Sequence, residues 1–287
     1  MLATCAALPD LHPDDRLLGE ALARRGVAAG PRVWNDPGVD WGAARLTLIR
    51  STWDYHLCLP GFLAWADGVS RTSRLVNPAA VVRWNTDKGY LRELAARGAR
   101  EVPTEYLPAG SRQDLGALLL GKGWPKAVVK PAVSCDGWET LAVDADSPES
   151  LAAGQALLDR LAPERELMVQ PYLPGVEDPG ERSLIFIEGE LSHAVGKLSP
   201  LLGGHGIGPA GGALTPDPDE VATARGALAA SGLHPQLYAR VDLVRDATGR
   251  PCLLELELVE PSLYLAAAPA ALECLVDGVV ARLDARA

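Results

Sequence analysis

The run LLELELVEPS at Leu253 to Ser262 constrains this chain more than any other stretch, and YARVDLV at Tyr238 to Val244 stands shortly before it. In a β-strand alternate side chains face opposite sides, so Glu255 and Glu257 share one face while Leu254, Leu256 and Leu258 share the other. The intervening DATGR reads as the turn of a hairpin, and pairing its two arms brings Asp242 alongside both glutamates. Three carboxylates that close repel one another unless a cation lies between them, and hard oxygen ligands suit magnesium or calcium. The same alternation also describes a half-exposed strand with solvated glutamates. The rest of the chain has to decide between the two.

With 287 residues, 48% of them hydrophobic and 22% charged, the chain is long enough for a substantial core and for more than one domain. A formal net charge of −10 argues against a general nucleic-acid binder, because phosphate contacts need a basic surface. An acidic protein that binds an anion must gather its positive residues locally, which makes each Lys and Arg position informative. Cys5, Cys58, Cys135, Cys252 and Cys274 are scattered, with no CxxC pair and no histidine at zinc spacing, as thiols of a reducing compartment would be. The opening MLATCAALPDLHPDD lacks a basic first segment, and charges, Gly or Pro interrupt every apolar run before it reaches membrane-spanning length. The reading is a cytoplasmic protein with neither nucleic acid nor membrane as partner.

Strand candidates Leu2 to Ala7, Pro31 to Trp34 and Leu46 to Arg50 alternate with helix candidates Asp14 to Arg25 and Phe62 to Val69, which favours a parallel sheet. Arg50, Ser51, Thr52, Trp53, Asp54 and Tyr55 follow the carboxyl end of such a strand, where substrate loops gather. Asn85 or Thr86 can cap a helix running to Arg97, with Lys88 in its first turn, opposed to the helix dipole unless an anion is near. Ala127 to Lys130 and Glu139 to Asp144 read as strands joined by the turn Ser134 to Gly137, whose amides and glycine are the ingredients of an anion cradle. Ser147 caps a helix to Leu161 with Pro148 at its first position, and Leu167 to Gln170 is a short strand before a Pro- and Gly-rich hinge, PYLPGVEDPGE. Ser183 to Ile187 and His193 to Val195 form a hairpin about Glu188 to Glu190. The segment Gly203 to Gly212 suits a mobile lid, and helices span Asp217 to Ser231 and Pro269 to Arg282.

In order, NTDK at Asn85 to Lys88, VVKPAVS at Val128 to Ser134, VQPYLPG at Val169 to Gly175, ERSLIFIEG at Glu181 to Gly189, Lys197, and RVDL followed by ELELVEPS resemble the ATP-grasp superfamily, in its glutathione-synthetase-like branch. The local wording RSTWDY, VVRWNTDK, KPAVS and ELELVEPSLYL looks most like the D-cycloserine synthetase group, whose members close O-ureidoserine into a ring. The resemblance implies an α/β (α+β) fold of three lobes with ATP between two antiparallel sheets: an amino-terminal α/β domain at 1–86, a central lid domain at 87–169 and a carboxyl-terminal catalytic domain at 170–287. It implies that Lys88 and Lys130 contact the ATP phosphates and that the Ser134 to Gly137 turn covers them. Gln170 and the backbone at Tyr172 and Leu173 would border the nucleotide, with the adenine donor next to Pro171 since proline has no amide hydrogen. Glu177 or Asp178 would hold the ribose. Asp242, Glu255 and Glu257 would bind two magnesium ions, although many relatives carry Asn in place of Glu257. Arg182, Lys197 and Arg240 would face the transferred phosphoryl, and Arg50, Ser51, Asp54, Tyr55 and Ser262 the substrate. The glycine loop lacks the arginine of glutathione synthetases, which sets their amine substrate aside. A homodimer is left open.

Phosphorylating a carboxylate converts a poor electrophile into an acyl phosphate with a good leaving group. Such transfer is catalysed by positioning and charge neutralisation, which suits scattered basic residues converging on metal-binding carboxylates. The expected activity is an ADP-forming carboxylate–nitrogen ligase on an amino-acid-like small molecule, with cyclo-ligation as one version. A small-molecule kinase on the same scaffold and a nucleotide-binding module with degraded catalysis are the alternatives.

Overall fold

Alternating short strands and helices at the amino end build a parallel sheet. In the computed structural model, which describes residues 1–197, 199–203 and 212–285, strands β1 (Leu2–Thr4), β2 (Pro31–Val33), β3 (Leu46–Ile49) and β4 (Arg74–Val76) lie in the order β2-β1-β3-β4, all parallel. Helices α1 (Pro13–Arg24) and α2 (Leu59–Thr72) are the crossovers. The His12 ring caps α1 by accepting the Asp14 amide at 3.3 Å.

Two short helices follow, α3 (Ala79–Asn85) and α4 (Tyr90–Ala96), where the sequence predicts a single helix from Asn85 or Thr86. The Asp87 carboxylate takes the Gly89 amide at 2.8 Å and the Lys88 amide donates to the Ala132 carbonyl at 3.0 Å, so the chain turns instead of continuing. Lys88 therefore sits in the turn between two helices and not in a first helical turn. Val81 of α3 and Tyr90, Leu91 and Leu94 of α4 pack on the carboxyl-terminal sheet described below.

The central sheet comprises β5 (Glu105–Leu107), β6 (Lys126–Pro131), β7 (Leu141–Asp144) and β8 (Leu167–Pro171), antiparallel in the order β5-β8-β6-β7. Helices α5 (Leu115–Lys122) and α6 (Pro148–Leu161) cover one face, burying Ala127, Val129, Val143, Leu167 and Val169 against Leu115, Leu119, Leu157 and Leu158. Strand alternation then turns Val128, Lys130 and Gln170 to the other face, towards a cavity. Ser147 caps α6 on the Ser150 amide, with Pro148 at the first position.

The carboxyl-terminal sheet is also antiparallel: β9 (Glu181–Ile187), β10 (Glu190–Lys197), β11 (Ala213–Leu214), β12 (Tyr238–Arg245) and β13 (Pro251–Glu257), in the order β11-β10-β9-β12-β13. Helix α7 (Pro218–Ser231) begins with an Asp217–Glu220 capping box. It packs with α4 against Leu184, Phe186, Val241 and Leu243. Helix α8 (Pro269–Asp284) and α1 cover Ile185, Ile187 and Tyr238 on the opposite face. The Tyr238 hydroxyl lies 2.8 Å from the Ile49 carbonyl, 3.3 Å from that of Val76 and 3.0 Å from that of Val259, which joins the parallel sheet to this lobe.

The decisive hairpin differs from simple alternation in one residue. Arg240 pairs with Glu257 and Asp242 with Glu255, but Leu243 pairs with Leu253, so Leu254 is the extra residue of a β-bulge. Leu253 and not Leu254 shares the buried face with Leu256, and Leu254 turns to the cavity. Residues 204–211 of the expected glycine lid lie outside the described residues. No helix among the described residues is long and apolar enough to cross a membrane.

Candidate active site

A cavity of about 460 Å³ opens between the central and carboxyl-terminal sheets. Its floor is the β12–β13 hairpin. Carboxylate oxygens of Asp242, Glu255 and Glu257 lie within 4.8 Å of one another, an all-oxygen donor set that suits magnesium. Basic side chains hold this charge in place: Arg240 reaches Asp242 at 2.9 Å and also Glu257, Lys197 reaches Asp242 at 3.2 Å and Glu181 at 3.4 Å, and Lys88 reaches Glu255 at 3.0 Å. The Ser183 hydroxyl adds a 2.6 Å hydrogen bond to Asp242.

The three acids are not equivalent. Burial works against the charge on Asp242, but Arg240 and Lys197 outweigh it and hold the carboxyl well below its usual range. Glu255 is lowered likewise, burial being outweighed by Lys88 and Lys130. Glu257 is pushed up to about 7, chiefly by burial and against the pull of Arg240. A cation arriving here displaces the Glu257 proton.

The opposite wall comes from the central sheet and the turn before α4. The Lys88 ammonium donates to the Ser134 carbonyl at 2.8 Å and its hydroxyl at 3.2 Å, pinning the Ser134 to Gly137 turn. Gly137 has φ of 70°, the left-handed conformation that favours glycine. Lys130 is buried with no ion pair among the described residues, and burial lowers its ammonium to about 8. A buried cation without a partner is a place for an anion.

Farther along β8 the Gln170 amide is anchored to the Thr104 hydroxyl at 2.9 Å. Beyond it Val102, Val176, Val244, Leu173 and Leu254 line an apolar slot. The Tyr172 amide donates to the Lys126 carbonyl at 2.9 Å, which leaves Leu173 as the neighbour of Pro171 whose amide suits an adenine edge. At Gly175 a Cβ would sit 2.2 Å from the Arg245 carbonyl oxygen, so the hinge turn is pressed against β12 and only glycine fits. The edge of β13 is closed by Asn85, which donates to the Leu256 carbonyl at 2.7 Å and accepts the Leu258 amide at 2.6 Å.

Lys88, Lys130, Ser134, Gly137, Gln170, Tyr172, Leu173, Lys197, Arg240, Glu255, Glu257, Tyr55 and Ser262 all line this one cavity. Others do not. Arg182 lies on the opposite face of β9 from Glu181 and Ser183, by strand parity, with its guanidinium 3.8 Å from Glu220 of α7. The Arg50 guanidinium is fully buried against Asp15 at 2.8 Å and donates to the Pro261 carbonyl at 2.7 Å; Ser51 donates to Asp15 at 2.6 Å. The Asp54 carboxylate accepts the Trp34 indole N–H at 2.7 Å. These three are structural partners placed away from the cavity. Glu177 accepts the Tyr172 hydroxyl at 2.6 Å, and neither it nor Asp178 is part of the lining.

Sequence reasoning missed Glu181, Asp14 and Glu260, which also line the cavity. Glu181 was legible by parity with Ser183 along one strand. Glu260 stood in plain sight within VEPS, but nothing in the alternation of β13 says where the chain points after the strand ends.

Residues 1–77 match the family described as D-cycloserine synthetase DcsG, N-terminal domain. Over 282 residues, 92% of this chain and 92% of the relative, the sequence is 35% identical to the cycloserine biosynthesis protein DcsG of Streptomyces lavendulae. The chain belongs to the D-cycloserine synthetase family. A crystal structure of D-cycloserine synthetase DcsG matches with a TM-score of 0.86 and 33% identity, covering 99% of each chain. A RimK domain ATP-grasp protein from Sphaerobacter thermophilus matches at 0.68 and 19% identity, covering 96% of this chain and 98% of its own. Other ATP-grasp structures of this fold hold ATP, or ADP with Mg. The protein is thus an ATP-grasp ligase of the D-cycloserine synthetase family, as the order of its motifs predicts.

Proposed function

We propose that this ligase activates the carboxylate of an amino-acid-like substrate as an acyl phosphate and closes it on its own nitrogen, with O-ureidoserine as the substrate to test first. The observation that carries the reading is the carboxylate cluster of Asp242, Glu255 and Glu257, whose two glutamates line one cavity with Lys130, a buried ammonium that has no ion pair among the described residues. Lys88 and Lys130 hold the nucleotide phosphates, the Ser134 to Gly137 turn covers them, and the Leu173 amide reads the base. Asp242, Glu255 and Glu257 would hold two magnesium ions, which would supply neutralisation of the phosphate charge.

A substrate carboxylate oxygen takes the γ-phosphoryl group as its bond to the β-phosphate oxygen breaks, and ADP leaves. Lys197 and Arg240 face this oxygen and the developing charge. A nitrogen lone pair then attacks the acyl carbon, phosphate departs with the C–O electron pair, and the nitrogen gives up its proton. Water would compete for the acyl phosphate, so the two sheets must close on it.

The experiment is ADP and free phosphate release with O-ureidoserine and related amino-acid-like carboxylates. Lys130→Ala and Glu255→Gln are each expected to abolish release while circular dichroism stays native. Near-normal release by either variant removes that residue from the site. A stable phosphorylated product identifies a kinase, and ATP binding without turnover identifies a binding module.

A further inference from the structure

Among the buried acids of the cavity, Glu260 stands apart. Lys88, Lys197 and Arg240 each have an acid at ion-pair distance, and Glu255, Glu257 and Glu181 each have a base. Glu260 is 7% exposed, lines the cavity, and has no cation within ion-pair distance among the described residues. Its one side-chain hydrogen-bond neighbour is the Cys135 thiol, 3.9 Å from Oε1, a weak donor. Its backbone is fixed, because the Trp53 indole N–H donates to the Glu260 carbonyl at 3.1 Å. Trp53 is itself held by the His12 ring at 5.1 Å between centroids.

A buried carboxylate carries a large desolvation penalty unless a positive group reaches it. Here burial, with repulsion from Glu257, pushes the carboxyl up to about 8. Lys88 and Arg240 offset this only in part, and no basic side chain among the described residues stands at ion-pair distance, which leaves a place for a positive group arriving in the cavity. Asp14 likewise has no base at ion-pair distance among the described residues, but it is less suited: Oδ1 already accepts the Ala266 amide at 2.9 Å, and the residue lies in the first turn of α1, where the dipole offsets part of its charge.

We infer that Glu260 is the receptor for a cationic amine on the substrate, a specificity-determining residue that nothing in the metal or nucleotide site requires. The inference rests on the amino-acid-like substrate proposed above and names the group that recognises its amine. In an α-amino acid the nitrogen lies about 2.5 Å from the carboxyl carbon, and Glu257 and Glu260 line the same cavity, so the amine and the carboxylate of one small substrate are received in a single space. The pairing also has a chemical consequence. An amine held as ammonium has no free lone pair, so it cannot compete with the intended nitrogen for the acyl phosphate.

The test compares O-ureidoserine with its desamino counterpart, 3-(ureidooxy)propanoate, by ADP release and by calorimetric binding in the presence of magnesium and AMP-PNP. Wild type is expected to favour the amine by about 100-fold in kcat/KM, the size of a lost buried charged hydrogen bond. Glu260→Gln, which keeps the shape and removes a buried charge, should raise KM for O-ureidoserine by about 100-fold and leave the desamino compound within about twofold. AMP-PNP affinity should be unchanged in this variant, and Glu260→Asp should retain part of the preference. Equal losses for both compounds, no loss for either, or transfer of the discrimination to Asp14→Asn would overturn the inference. If neither compound is turned over, the proposed cyclo-ligation of O-ureidoserine falls, and binding alone decides: Glu260-dependent binding of the amine upholds the inference, and no binding of the amine overturns it as well.

Discussion

Replacing Arg50 tests the reasoning most directly, because sequence and structure assign it different work. In a substrate loop, Arg50→Met would raise KM and spare stability. The structure instead shows a guanidinium with 0% side-chain exposure paired to an Asp15 with 4%, its second nitrogen on the Pro261 carbonyl and its plane 5.0 Å from the Tyr238 ring centroid. Removing one partner of such a pair strands the other charge and costs about 3–5 kcal/mol. Loss of the charged donor to Pro261 falls within the same range, since the two contributions share one side chain. Urea denaturation of wild type, Arg50→Met and Asp15→Leu/Arg50→Met reads the effect. The single variant is expected to lose about 4 kcal/mol, and the double variant, with no charge left to strand, to recover at least half of it. A single-variant loss below about 1 kcal/mol, or a double variant no better than the single, refutes the buried-latch account.

Proton linkage provides a second prediction. Without magnesium and nucleotide, the carboxyls of Glu257 and Glu260 lie near 7 and 8 against an ordinary 4.5, so the folded state binds their protons more tightly than the unfolded chain. That stability is complete below about 4.5 and is lost as pH rises through the folded values; Tm in EDTA should therefore fall between about pH 6.5 and 8, by roughly 2 kcal/mol of stability from Glu260 alone. Glu260→Gln should flatten the slope, and a Tm that rises across this interval contradicts the assignment. Gly175→Ala should weaken AMP-PNP binding by about tenfold or more, because the new Cβ collides with backbone and pushes Leu173 out of the base slot; unchanged affinity would show that the hinge turn yields without cost. Glu257→Asn should keep ADP release but raise the magnesium concentration for half-maximal rate by about tenfold, since a neutral ligand replaces a charged one. Titration with magnesium at fixed ATP reads it, and an unchanged requirement places Glu257 outside the ion site.

The pair Glu255 and Glu257 was legible because strand parity is a property of the chain itself. Asp242 joins their face through the bulge at Leu254: the register set at the turn, Val244 with Cys252 and Leu243 with Leu253, would otherwise place Asp242 opposite Leu254 and on the other face. That bulge was not legible, since an extra residue in one arm alters no composition. Arg182 was placed near the phosphoryl group by motif order, and only the structure, where Ser183 bonds Asp242, shows that Arg182 takes the other face of the strand. Arg50 illustrates a limit of local reading. A basic residue after a parallel strand looks like a ligand anchor until the partner is visible, and that partner, Asp15, comes from a helix separated from it by the whole second strand. Glu260 was hidden by the end of the strand, where period-2 arguments stop and tertiary contacts such as Trp53 take over.

The Tyr238 hydroxyl, central to three carbonyls, has a mechanical meaning. Together with Asn77, which donates to the Tyr238 and Leu258 carbonyls at 3.1 and 2.6 Å, and with the Arg50 tie to Pro261, it welds the parallel sheet to the catalytic sheet as one chassis. Breaking that weld would expose several buried carbonyls at once. The strands that carry Asp242, Glu255 and Glu257 are therefore braced by the parallel sheet, and the cavity floor takes its rigidity from a lobe that supplies none of its three carboxylates.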